Sequence, residues 1–268
     1  MVLLLLAACA MPPPPAMPPP IPYPPETRER LARFAIAEWQ AWGCLSQGLA
    51  GPPLTPGCDT TRPPGRGAES EAANFPAVLA YWRATLESPI PANRARYLAT
   101  LRGEAAQSWA EPFWSAAFIS WLMATAGVDR TEFRPDAAHS LYLDHLDAMA
   151  TAWPESAPFI THEATARAPA PGDLLCADRS SRPLPAWSAR AAERGQFRAM
   201  HCDLVVATGP GVIEAIGGNL GDAVTLRRIP ADADGLARGF LVVVENRLGR
   251  LPPFGTAISR RATPPRPA

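Results

Sequence analysis

The sequence contains no lysine: all 25 basic residues are arginine, and 25 acidic residues balance them to a net charge of zero. No basic face or run stands out of that balance, which argues against a nucleic-acid partner. The missing lysine reads as a compositional bias of the source genome, not as function. No internal repeat is present. The apolar start, residues 1–8, is far shorter than the ~20 residues a bilayer-spanning helix needs. The five cysteines include no C-x-x-C pair, which disfavours a zinc site, and no metal or other cofactor is expected.

What is present suffices for a real core. The chain has 268 residues, 47 % of them apolar, enough for one large domain or two small ones. Proline, 33 in all, is concentrated toward the two ends. Residues 12–25, "PPPPAMPPPIPYPP", hold ten prolines in fourteen positions. Such a run favours extended polyproline II and would reach roughly 40 Å at ~3.1 Å per residue. It suits a stalk, or else a disordered leader. Ahead of it, "LAAC" at Leu6–Cys9 resembles a bacterial lipobox, in which Cys9 would be lipidated; the alternative is a chance cysteine in an apolar start. The positive region of a secretion signal is missing, so a start codon further upstream is expected. These features predict a lipid-anchored protein of the cell envelope, on the periplasmic side of the outer membrane. The expected divisions are a signal remnant (1–9), a Pro-rich linker (10–26), a helical extension (27–104), a catalytic-type domain (105–250) and a disordered tail (251–268).

Four cysteines remain besides Cys9, an even number that fits disulfides in an oxidising compartment. Cys44 and Cys58 flank a Pro/Gly-rich loop. Cys176 and Cys202 fall on two predicted strands and can pair across them.

Apolar periodicity predicts helices over 27–43, 74–86, 93–110, about 112–126 and 136–152. Thr27 and Asp136 are the expected starts of the first and last, and Gly43 and Gly127 are natural stops. After residue 170 the pattern shifts to short apolar strands at 171–179, 201–208, 212–219, 223–229 and 239–245, separated by Gly, Pro and Asp turns. Helices first and a meandering antiparallel sheet second make an α+β fold.

One small nucleophile, Ser115, stands beside Trp114 near the start of the helix "FWSAAFISWLMATAG". It is either a small packing residue or a nucleophile. At a helix N-terminus the dipole and free N–H groups favour a developing anion. His201, opening the strand "HCDLVVAT", is the best-placed base of the four histidines. Asn219, ending "IGGN", could orient it; Asp203 is the rival, since residues two apart on a strand share a face. Trp114, and His139 on the following helix, could line the cleft; the alternatives are core packing for Trp114 and a helix-surface or core histidine for His139. Arg179, following "LLCAD", reads first as an exposed strand-end charge, with an acidic peptide carboxylate as its alternative partner. His145 and His162 read as surface residues.

The order of "FWSAAFISWLMATAG", "PAPGDLLCADR", "MHCDLVVAT" and "IEAIGGNLGDAVTLRRI" resembles the papain-like cell-wall hydrolases of the NlpC/P60 and CHAP type. It is most similar to a group of bacterial proteins, the domain of unknown function 2272, over residues 28–247. The resemblance implies a papain-like fold in which Ser115 takes the nucleophilic cysteine's position, His201 is the base and Asn219 the orienting residue. Asp173 falls on that pattern's structural G-D turn. Two departures stand out. Serine is far less acidic than cysteine and must lose its proton during attack. Cys202 follows His201 where a small apolar residue is usual; as a strand neighbour it points away from any site His201 faces. The expected function is an amidase or peptidase acting on peptidoglycan stem peptides. The alternatives are an inactive protein that binds a cell-wall peptide or a partner, and an acyltransferase.

Overall fold

The computed structural model describes residues 17–85, 90–104 and 112–250. Cys9 with its lipobox, most of the Pro-rich linker and the tail from 251 lie outside the described residues. Helix α1 (Glu26–Ala41) buries Leu31, Ala35 and Trp39, spaced four apart on one face. Pro25, not Thr27, precedes its first turn, and Thr27 lies inside the helix, buried. A proline there forfeits no helical hydrogen bond. Helices α2 (Phe75–Trp82) and α3 (Ile90–Leu101) follow; α3 ends short of the expected 110, giving way to a turn at 102–104, and residues 105–110 lie outside the described residues. Helix α4 (Ser115–Ala126) stops at Gly127, whose φ of 86° is left-handed. It begins three residues later than Pro112 suggested: its N-cap, Trp114, has non-helical backbone angles, φ −94° and ψ 10°. Helix α5 (His139–Ala152) begins just after Asp136, whose carboxylate accepts the Ala138 N–H at 2.9 Å.

The strands are β1 (Ser46–Gly48), β2 (Phe159–Glu163), β3 (Leu174–Asp178), β4 (Met200–Gly209), β5 (Val212–Gly217), β6 (Thr225–Pro230) and β7 (Val242–Asn246). They form one sheet in the order β1-β6-β5-β4-β3-β7-β2. Every pairing is antiparallel except β1 with β6. β3 to β6 follow the predicted meander, but β7, expected as its last strand, crosses back to lie between β3 and β2; the fold is α+β. The two outermost strands, β1 and β2, were not anticipated. β1 is three residues of "SQG", and β2 is only half-buried beyond Phe159, so neither carries a strong alternating signal.

Alternation along β4 divides the interior. Cys202 and Leu204 join Trp39, Trp114, Phe118 and Leu122 in the core between sheet and helices. Val205 joins Leu175, Ile213, Ala215 and Val243 in a second cluster. Each fully buried large apolar side chain contributes about 1.5–3 kcal/mol. Both expected disulfides are present: Cys44–Cys58 and Cys176–Cys202, with Cα atoms 6.1 and 4.1 Å apart. The second joins residues directly paired across β3 and β4.

The N-terminal part is fastened to this body. Tyr23 is buried, and its hydroxyl accepts the Asp129 N–H at 2.7 Å. Arg28 of α1 donates to the carbonyls of Pro171 and Asn246 and ion-pairs with Asp173 at 3.0 Å. Among the described residues, no helix is long and apolar enough to cross a membrane, and no group of His, Cys, Asp and Glu could hold a metal ion.

Candidate functional site

Ser115 is the first residue of α4, so its N–H and the next two have no carbonyl of their own helix to bind. Its hydroxyl lies 2.7 Å from Nε2 of His139. His139 opens α5, and its other nitrogen, Nδ1, lies 2.6 Å from the Tyr142 hydroxyl one turn along. Residues three apart on a helix share a face, and that spacing was the available clue to the His139–Tyr142 pair. Both side chains are almost wholly buried. Burial lowers the His139 pKa well below the ordinary histidine value, the His201 ring adds to this, and the Asp203 charge opposes it. Burial likewise pushes the Tyr142 phenol well up, helped by the charges of Asp203 and Asp136. His139 is therefore neutral and Tyr142 protonated.

A second histidine stands beside the first: the rings of His139 and His201 are 5.5 Å apart between centroids. His201 and Asp203 share one face of β4, and Nε2 of His201 is 2.8 Å from Oδ1 of Asp203. The other carboxylate oxygen takes a 2.6 Å bond from Arg227 of β6. Burial alone would raise the Asp203 pKa, but His201 and Arg227 outweigh it and hold the group at about 2. The ionised carboxylate therefore accepts the Nε2–H of His201, and Nδ1 is the ring nitrogen left to exchange a proton. Gly217 makes room for this pair. A Cβ there would sit 2.0 Å from Oδ1 of Asp203 and 3.0 Å from Nε2 of His201.

Ser115, His139, His201 and Asn219 line one cavity of about 520 Å³. Arg179, Met200, Phe113 and Phe197 complete much of its wall. The two phenylalanines are largely exposed, 81 % and 74 %. Arg198, also at the cavity, is committed to Asp178 and Glu193. Asn219 adopts a left-handed φ of 58°, which asparagine tolerates better than most residues. Its side chain makes no hydrogen bond among the described residues, and the partner on His201 is Asp203.

The other residues singled out from the sequence stand elsewhere. Trp114 is fully buried, donates its indole N–H to Glu69 and stacks on Trp42 at 5.5 Å. Cys202 is closed in its disulfide on the opposite face from His201. Asp173 accepts the N–H groups of Ala170 and Asn246 and pairs with Arg28, a structural role at the G-D turn. His162 pairs with Glu245 at 2.9 Å, and His145 with the Thr131 carbonyl at 2.8 Å, both away from the cavity.

Residues 69–248 match the family model described as uncharacterized protein conserved in bacteria, DUF2272. The chain belongs to this family. No curated protein and no solved structure matched it. In this DUF2272 member the match takes in Ser115, His139, His201, Asp203 and Asn219, together with the whole sheet except β1. Helix α1 and the Cys44–Cys58 loop precede it.

Proposed function

We propose that this DUF2272 protein is an exported serine hydrolase of the cell envelope, with a papain-like arrangement of the NlpC/P60 type, that cleaves peptide amides of peptidoglycan. The observation that carries the reading is a serine at a helix N-terminus sharing an open cavity with a carboxylate-backed histidine. Ser115 Oγ attacks the amide carbonyl and its proton passes to Nδ1 of His201. The oxyanion is met by N–H groups at the start of α4. His201 then returns the proton to the departing amine, and water hydrolyses the acyl–serine ester by the same route. Asp203 holds the ring and stabilises the imidazolium. Asn219, at the cavity wall, is placed to contact substrate. The two disulfides support an oxidising compartment, and the Cys9 lipid anchor belongs to the same reading.

A binding protein of the same fold is the second reading. It is favoured by one contact: the Ser115 hydroxyl is bonded to His139, a neutral histidine without a carboxylate behind it. Digestion of purified peptidoglycan, followed by mass spectrometry, separates the two. The hydrolase reading expects cleavage by the natural protein and its loss, by at least a hundredfold, in Ser115→Ala and His201→Ala. Activity confined to Ser115→Cys, or absent from every form, supports the binding reading.

A further inference from the structure

His139 is the buried group at the site that proton transfer by His201 leaves without a task. Its two hydrogen bonds restrict what it can be. A neutral imidazole carries one N–H and one lone pair, so one of its two bonds is donated and the other accepted. The Tyr142 hydroxyl has His139 as its one partner among the described residues, and the residue is fully buried. If the phenol accepted from Nδ1–H, its own proton would be buried without an acceptor, at a cost of about 1–3 kcal/mol. If it donates, every polar hydrogen of the pair is used.

We infer that Tyr142 donates to Nδ1 of His139 and fixes it as the Nε2–H tautomer, so that His139 donates to Ser115 Oγ and leaves the serine's own proton free for His201. His139 is then a positioning residue. It holds one lone pair of Oγ in a bond of 2.7 Å and favours the anionic oxygen as the proton departs. Two histidines with 5.5 Å between ring centroids thereby divide the work. One fixes the nucleophile and keeps its proton; the other, backed by Asp203, moves one. The same geometry supplies what serine lacks relative to cysteine, a second group that stabilises the deprotonated atom. This consequence for chemistry rests on the reading of Ser115 as a nucleophile; the tautomer does not.

The test is a long-range proton–nitrogen correlation spectrum of the protein labelled with ¹⁵N in its four histidines, recorded at neutral pH. His139 is assigned by elimination, using His145→Gln, His162→Gln and His201→Gln, so no His139 variant needs to fold. The expected spectrum shows His139 neutral, protonated at Nε2 alone, with its Nδ1 signal displaced in Tyr142→Phe. A His139 protonated at Nδ1, or at both nitrogens, overturns the inference. In parallel, a fluorophosphonate should label Ser115 at least tenfold more slowly in Tyr142→Phe than in the natural protein, as expected for a misplaced nucleophile. An equal rate in the two overturns the positioning role. Failure of the natural protein to be labelled overturns the hydrolase reading instead, and the spectrum still decides the tautomer.

Discussion

Asp203 is wholly shielded from water, a setting that raises the pKa of a carboxyl group, yet His201 and Arg227 keep it ionised with a pKa of about 2. A carboxyl whose pKa falls on folding stabilises the folded state above its unfolded value, near 3.9, and loses that contribution as the pH drops toward 2. The shift corresponds to about 2 kcal/mol. Asp203→Asn should therefore lower stability by roughly that amount at pH 7, and the difference should shrink as the pH approaches 2; paired urea titrations at pH 7 and pH 2.5 measure it. At this scale the sequence was partly legible. The i, i+2 spacing on a strand raised Asp203 as a partner for His201. The Ser115–His139 contact joins residues 24 apart on two different helices, and no spacing rule within one element reports how two helices dock. The choice between Asn219 and Asp203 also needed the register, which puts Asp203 beside the one position on β5 that lacks a side chain.

Strands β4 and β5 act together to build the site. β4 alternates, sending Cys202 to its disulfide and His201 and Asp203 to the other face; β5 answers with Gly217, where any side chain would occupy the space of the carboxylate. Gly217→Ala should displace Asp203, cost about 1–3 kcal/mol and, on the hydrolase reading proposed above, slow fluorophosphonate labelling of Ser115. Thermal melting and the labelling rate check the two parts separately. A second pair of elements closes the far edge. Glu214 of β5, fully buried, accepts from the N–H groups of Leu54 and Thr55 and from Arg228 of β6, and Arg228 in turn holds the carbonyls of Leu49, Ala50 and Gly51. Helices and central strands were legible because apolar period and Gly stops agree there. β1 and β2 were not, because an edge strand buries too little of itself to leave a period-two pattern.

Among the described residues the molecule is stapled twice, across separations of 14 and 26 residues. Loops of that size confer ~3 kcal/mol each in the chain-entropy account. Reduction should add four hydrogens to the mass and lower the urea midpoint substantially, and mass spectrometry beside a denaturation curve with and without reductant measures both. The α+β order and both cysteine pairs could be read from the chain. How far the N-terminal residues take part in the body could not, since an amphipathic helix declares that one face is buried and not what it is buried against.

Helix α1 makes that participation plain. It lies outside the stretch shared with the family, yet its Trp39 and Leu31 are in the common core, its Arg28 neutralises the buried Asp173, and the strand that follows it covers the open flank of β6. What an oligomeric enzyme borrows from a neighbouring subunit, this chain carries in cis. Residues 17–48, with α1 and β1, are a built-in partner, and the family stretch without them would present a bare flank of β6 and an uncovered apolar face.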